Sequence, residues 1–403
     1  MTEEKKEIET ENKIGEKVMK RSKALCFCIL LLFISIFCCS CSNVKHNVFV
    51  KGPDMHYFHN GPAVLLNDGN VLVIGGNTKH AEIYDYKKNK FLLAGEMNFN
   101  RVFGASASLL PDGSVLIAGG ASPLFKEFKN GYLVFSKGSV YQAVSEAEIY
   151  NSASKTFNKI GNMRSPRFNH QAVKMENGNI LFIGGRNKRN YVSEIEEFNT
   201  KTNTFKIINN MNFIKQILNV IPIENNKILI IGDLINNNTR EIWVYDYSKN
   251  AFEKYAGRNM LTDNNLMFVN SRHLNLNNNL TLIICGYYGE NNNTGILFDS
   301  STMDISFAFK LPFMLNQDYS MSLRNSSSSI LTGGSASHST SFSVSDKSFI
   351  YDFNSGNFIM NNAVLNTKRF KHNAIVLING NILIFGGQKN NSIELLSSEI
   401  YYK

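Results

Sequence analysis

Beyond residue 41 the sequence contains one cysteine, Cys285. The other five, Cys26, Cys28, Cys38, Cys39 and Cys41, crowd into a short stretch near the N-terminus. The body of the chain therefore holds no internal disulfide, whatever compartment it occupies. The 403 residues carry a formal net charge of +9, yet no Lys/Arg block of the nucleic-acid-binding kind occurs in the body. A soluble basic surface is expected, and no nucleic-acid partner. There is no phosphate-cradling glycine loop, no zinc-ligand spacing and no Ser-His-Asp order, so nucleotide, structural-zinc and triad chemistry find no support. Asparagine runs such as "INNNTR" and "NLNNNL" read as loop tips.

What is present begins with one apolar run, "ALCFCILLLFISIFCC" at 24–39, preceded by "MKRSK" and followed by "SCSN". A basic start, an apolar middle and small residues at the exit describe a secretory signal. The run is shorter than the roughly twenty residues that span a bilayer comfortably. It resembles a bacterial lipoprotein signal, in which cleavage precedes a cysteine that then takes lipid. Ser40-Cys41 matches those two positions, and the resemblance implies lipidation at Cys41. Cys38 stands where the common pattern has Leu, Val or Ile, so Cys39 and Cys38 stay open as the modified residue. The other reading is an uncleaved anchor with residues 1–23 in the cytoplasm. Met19 opens a more typical signal than Met1 and reads as the initiator. The expected organisation is a leader over 1–41, a short tether over 42–48 and a folded domain over 49–403. This would hold the domain by an N-terminal lipid on the bacterial cell envelope, on its periplasmic or surface side.

The body is repetitive. Apolar segments end in paired glycines: "VLVIGG" (Gly75, Gly76), "VLIAGG" (Gly119, Gly120), "ILFIGG" (Gly184, Gly185), "ILTGG" (Gly333, Gly334) and "ILIFGG" (Gly386, Gly387). Two weaker copies keep Gly232 and Gly286, which makes seven at a period of roughly fifty residues. An aromatic follows each of six copies: Tyr84, Tyr150, Phe198, Tyr245, Phe298 and Tyr351. Seven residues beyond each stands Phe91, Phe157, Phe205, Phe252, Ile305 and Phe358. Two strands joined by a short polar turn explain that constant spacing. Met97, Met163 and Met211 come next, and four residues after them Arg101, Arg167 and Lys215; Arg369 holds the same place after Leu365.

These landmarks resemble the kelch repeat over roughly residues 49–403. The resemblance implies an all-β, seven-bladed propeller of four-stranded antiparallel blades, with the first strand of each innermost. The seventh copy ends at "SSEIYYK", so the aromatic expected seven residues after Tyr401 is missing there. "NVFVKGPDM" supplies it at the other terminus, with Phe49 and Met55 spaced like Phe91 and Met97. Residues 47–52 are therefore expected as the outer strand of the last blade, closing the ring.

In antiparallel blades the connections after strands two and four share one face. The longest runs from Ala121 to about Ser145 and carries Phe125, Phe128, Tyr132, Phe135 and Tyr141 among lysines. Such a loop suits a binding surface for a glycan or acidic peptide, or forms a lid packed on the propeller itself. Arg101, Arg167, Lys215 and Arg369 recur where the inner strand begins, as do His59, His170 and His372. The cations, with these histidines beside them, either ring the channel mouth as contacts for an anionic ligand or belong to the repeat and bond local backbone. The histidines sit on different blades without paired carboxylates, so packing is expected rather than a metal site; no metal or cofactor is expected. Galactose-oxidase-like kelch proteins use copper with a cross-linked cysteine, and Cys285 in the repeat frame offers no match. Glu148, Glu194 and Glu399 read as repeat positions. The expected function is a monomeric binding module for a protein or carbohydrate partner; the alternative is an enzyme acting on acidic sugars, like the sialic-acid mutarotases.

Overall fold

The computed structural model describes residues 46–124, 127–129, 132–134, 140–188, 190–235, 239–255, 271–276, 279–284, 294–310, 318–338, 341–390 and 393–403. The leader, including Met19, Cys38, Cys39 and Cys41, lies outside them, as does Cys285. No helix occurs among the described residues.

Among the described residues seven antiparallel blade sheets follow one another along the chain, six of four strands and one, in blade 2, extended to five by Tyr141–Ala143. Blade 1 is built from Ala63–Leu65, Val71–Val73, His80–Asp85 and Lys90–Glu96. Blade 2 uses Phe103–Leu109, Val115–Pro123, Glu146–Asn151 and Thr156–Asn162. Blade 3 uses Gln171–Lys174, Ile180–Ile183, Glu194–Asn199 and Thr204–Asn210. Blades 4, 5 and 6 start at Ile214–Ile223, Arg272–Asn275 and Ser320–Asn325. Blade 7 combines Asn373–Val376, Ile382–Phe385 and Ser398–Tyr402 with Val48–Lys51 from the other terminus.

The second strands read as continuous apolar runs because both faces of each blade are covered. Side chains alternate between faces, so one strand feeds two cores. In blade 1, Leu72 and Ile74 pack with Val115 and Ile117 of blade 2. Val71 and Val73 pack with Leu383 and Phe385 of blade 7. Among the described residues seven such clusters occur, one at each junction between neighbouring blades. The third-strand aromatic always joins the cluster shared with the preceding blade, as Tyr150 does with blade 1 and Tyr401 with blade 6.

The seven-residue spacing is a cross-strand register. Tyr84 lies opposite Phe91, Tyr150 opposite Phe157, Phe198 opposite Phe205 and Tyr351 opposite Phe358. Tyr401 finds the same partner across the termini: it lies opposite Phe49, with ring centroids 4.8 Å apart. The other aromatic pairs of this type stand 4.7–5.2 Å apart. Closure by the N-terminal strand thus reproduces the geometry of an ordinary blade and leaves no free edge on the last strand of the chain.

Candidate functional site

The connectors that enter each inner strand carry the recurring cations, and these point inward. Arg101, Arg167 and Arg369 are fully buried. Arg101 donates to Glu148 Oε1 from Nε and Nη2, both at 3.2 Å, and to the Gly119 carbonyl. Arg369 donates to Glu399 Oε1 at 2.9 Å and to the carbonyls of Gly386 at 2.9 Å and Ser397 at 3.0 Å. Arg167 sits 3.6 Å from Glu196 and donates to the Gly184 and Glu194 carbonyls. The channel-mouth reading of these three is therefore corrected: their charge is used inside the blade and does not face solvent. Lys215 differs and is exposed. Blades 1, 2, 3 and 7 carry glutamate two residues before the aromatic, whereas blades 4, 5 and 6 carry Trp243, Ile296 and Phe349 there.

The glutamate does a second job. Glu148 accepts the Asn98 N–H at 2.8 Å, and Glu399 accepts those of Asn366 at 2.6 Å and Thr367 at 3.0 Å. Each carboxylate thus ties the connector to the third strand of the blade it enters. Blade 1 shows the same joint with another side chain. His59, four residues after Met55, takes the arginine position, with Nε2 3.1 Å from Glu82 and Nδ1 2.9 Å from the Gly75 carbonyl oxygen. Burial pushes the Glu82 carboxyl up, but hydrogen bonds from His59, His56 and Tyr57 outweigh it and leave the pKa lowered. Glu196 goes the other way, with burial raising it.

The glycine pairs complete the joint. A Cβ on Gly119 would meet the Arg167 carbonyl oxygen at 2.6 Å, and one on Gly333 would meet that of Arg369 at 2.4 Å. Both glycines have φ of +64°. Their side-chain-free backbone lets the next blade's connector approach, and Gly120 and Gly334 then donate to those carbonyls at 2.9 Å. The sequence signals Arg, Glu and Gly-Gly are three parts of one inter-blade contact.

His170 and His372 stand beside these joints and are buried. His170 Nε2 lies 2.8 Å from Ser106 Oγ of the preceding blade, and His372 Nε2 lies 2.8 Å from Ser320 Oγ and 3.1 Å from Thr332 Oγ1. Burial, then the charges of Arg167 and Arg101, lower His170 to about 3. Burial, with Arg369 and Arg272, does the same to His372. Both are neutral packing groups at physiological pH. Among the described residues no three His, Cys, Asp or Glu side chains come together to hold a metal ion.

Among the described residues the added hairpins fall in the connections after strand two. Extra hairpins occur there in blade 2 (Glu127–Lys129 with Tyr132–Val134), blade 3 (Arg186–Asn187 with Asn190–Tyr191), blade 6 (Ser335–His338 with Ser341–Val344) and blade 7 (Gln388–Asn390 with Ile393–Glu394). The buried arginines position two of them. Phe168, next to Arg167, exchanges backbone hydrogen bonds with Arg186 at 2.9 and 3.0 Å, and Phe370, next to Arg369, pairs likewise with Gln388. The arginine thus acts on the loop face indirectly, by fixing the base of a hairpin.

Between the loops of blades 2 and 3 lies a groove of about 580 Å³ lined by Val140, Tyr141, Asn187, Lys188 and Asn190. Tyr141 stands edge-on to Phe103 at 5.1 Å, and Phe103 edge-on to Phe168 at 5.6 Å. Burial raises the Tyr141 hydroxyl pKa. On the other side, the Arg186 guanidinium lies 4.9 Å over the Tyr191 ring, and the Tyr191 hydroxyl donates to Gln216 at 2.8 Å. Of the aromatic residues expected to bind, Tyr141 lines the groove. Phe128 and Tyr132 lie on the two short strands of the blade 2 hairpin, with their side chains outside the described set; Phe125 and Phe135 lie wholly outside it. The segment "RNKRNY", Arg186 to Tyr191, carries a signal of its own in its dense positive charge and two asparagines.

Comparison with protein families matches residues 177–212 to the Kelch motif. Those residues run from the turn before the second strand of blade 3 to the residue after Met211. Among solved structures, a copper complex described as a novel fungal alcohol oxidase with catalytic diversity among the AA5 family is similar at a TM-score of 0.59. The two share 14% identity over 89% of this chain and 76% of that one, a likeness of fold alone. No curated protein matches.

Proposed function

We propose that this chain, a seven-bladed kelch-repeat propeller, is a binding module whose partner docks on the loop face at the groove between blades 2 and 3. One observation carries this: insertions accumulate on one face, and two of them frame a concave site with a rooted aromatic, two amides and a lysine. Exposed Leu124, Val140, Ile235, Ile393 and Leu396 also stand on connections of this face, where a protein partner would cover them. The arginines that an acidic-sugar enzyme would have needed at the channel mouth are buried in the joints, which weighs toward binding over turnover.

The site is testable with the full-length chain as bait in envelope extracts. Wild type should enrich a partner that the Val140→Asp/Lys188→Glu double variant loses and that Ile378→Asp, on a turn of the opposite face, retains. Turnover of acidic sugars followed by NMR, with no stable partner, would sink the binding reading. For location we propose an envelope lipoprotein held through Cys41. Palmitate labelling should disappear in Cys41→Ala, and labelling that persists would move the modification to Cys39 or Cys38.

A further inference from the structure

The two walls of the groove differ in chemistry, and the difference bears on what it holds. On one wall Val140 is 56% exposed, and Leu124 beside it is 43% exposed. The two are joined by a hydrogen bond from the Leu124 N–H to the Val140 carbonyl at 3.0 Å. Tyr141 continues this apolar wall, its ring held by Phe103 and, behind that, Phe168. A side chain already fixed by packing loses little freedom when a partner covers it. The opposite wall is the blade 3 hairpin. Asn187 and Asn190 lie directly opposite one another in register, and each amide offers both donors and an acceptor. Lys188 occupies the turn at φ +54°, a left-handed backbone that side chains other than glycine and asparagine avoid. The fold thus places a lysine where the turn itself would favour a smaller residue.

We infer that the groove takes an extended peptide segment in which apolar and acidic side chains alternate. The inference rests on the groove being the partner site. Successive side chains of an extended strand point to opposite sides. One set would then cover Val140 and Leu124, the other would meet Lys188, and the peptide backbone between them would face the asparagine amides. Charge complementarity favours an acidic occupant, because Arg186 and Lys188 both lie on this hairpin in a chain of net charge +9. An acidic saccharide could use Tyr141 and Lys188, but it would leave the exposed Val140 and Leu124 uncovered.

Fluorescence anisotropy with the full-length chain tests this. The probe is a labelled octapeptide alternating leucine and glutamate. Three controls replace glutamate by lysine, replace leucine by serine, or substitute a labelled tetragalacturonate for the peptide. The leucine–glutamate peptide should bind tighter than each control by about tenfold or more. Lys188→Glu and Val140→Asp should each weaken it by about tenfold, while Ile378→Asp leaves it unchanged. Melting curves identical to wild type will show that these surface variants fold. Equal binding of the serine–glutamate peptide reduces the site to charge alone and overturns the inference. Equal binding of tetragalacturonate makes it an acidic-saccharide site and also overturns it. If no probe binds while the groove variants still lose the captured partner, the peptide chemistry falls and the binding-module reading stands. If the variants keep that partner, both fall.

Discussion

Replacing Arg369 by methionine removes a cation that is fully buried at the last joint of the ring. Four hydrogen bonds go with it: to Glu399 at 2.9 Å, to the carbonyls of Gly386 and Ser397, and to Ser397 Oγ at 3.1 Å. Glu399 is left buried without its cation, holding only the connector donors at Asn366 and Thr367. Breaking one side of a buried pair costs about 3–5 kcal/mol, chiefly through the charge left behind. Glu399→Gln should cost a similar amount, because it strands Arg369 instead. The double variant Arg369→Met/Glu399→Gln should cost less than the sum by about 2 kcal/mol, since no uncompensated charge remains. Lys201→Met, on an exposed turn of blade 3, is the control and should stay within about 0.5 kcal/mol of wild type. Urea unfolding of the full chain, followed by tyrosine fluorescence and circular dichroism, measures all four. A loss below about 1 kcal/mol for Arg369→Met, or strict additivity in the double variant, would refute the joint as described.

Three further outcomes follow from the same geometry. Phe49→Ala should destabilise the whole domain by about 3–5 kcal/mol, because its ring fills the Tyr401 pairing that closes the ring, whereas exposed Leu93→Ala should be nearly silent; thermal melts compare them. Gly119→Ala should lower stability by more than about 1 kcal/mol in the same assay, since the added carbon meets the Arg167 carbonyl and φ is +64°. Acid should weaken the fold through His170 and His372. Their folded pKa values of about 3 lie below the ordinary 6.5, so the unfolded chain takes up protons first. Stability is full above about pH 6.5 and falls toward pH 3, by about 1.4 kcal/mol per pH unit per histidine. His372→Asn should flatten that limb, and an unaltered slope would show that His372 is not the group titrating.

The propeller was legible because its signals are local and repeated. Glycine pairs, the Tyr84-to-Phe91 spacing and the Met landmarks each lie within one blade, and Phe49 with Met55 carried the same pattern to the far terminus. The arginines were legible as recurrent but not as buried. Recurrence cannot distinguish a ring around a channel from a joint, because the deciding partner is the glutamate some thirty to fifty residues later. That glutamate is identifiable only by counting back two from the aromatic: Glu148, Glu196 and Glu399 share the position, and Glu194 does not. His59 looked like a companion of His170, while counting from Met55 places it at the arginine position. The groove was least legible, because Tyr141 and Asn187 belong to different blades and meet only through the ring.

Hydrogen exchange on the full chain, with and without its captured partner, tests the central claim most directly. The account predicts new protection at residues 140–141 and 186–191 on the loop face, with the outer strands and opposite turns unchanged. Protection concentrated at the turn around Ile378 or along the inner strands, with the groove unaffected, would contradict it.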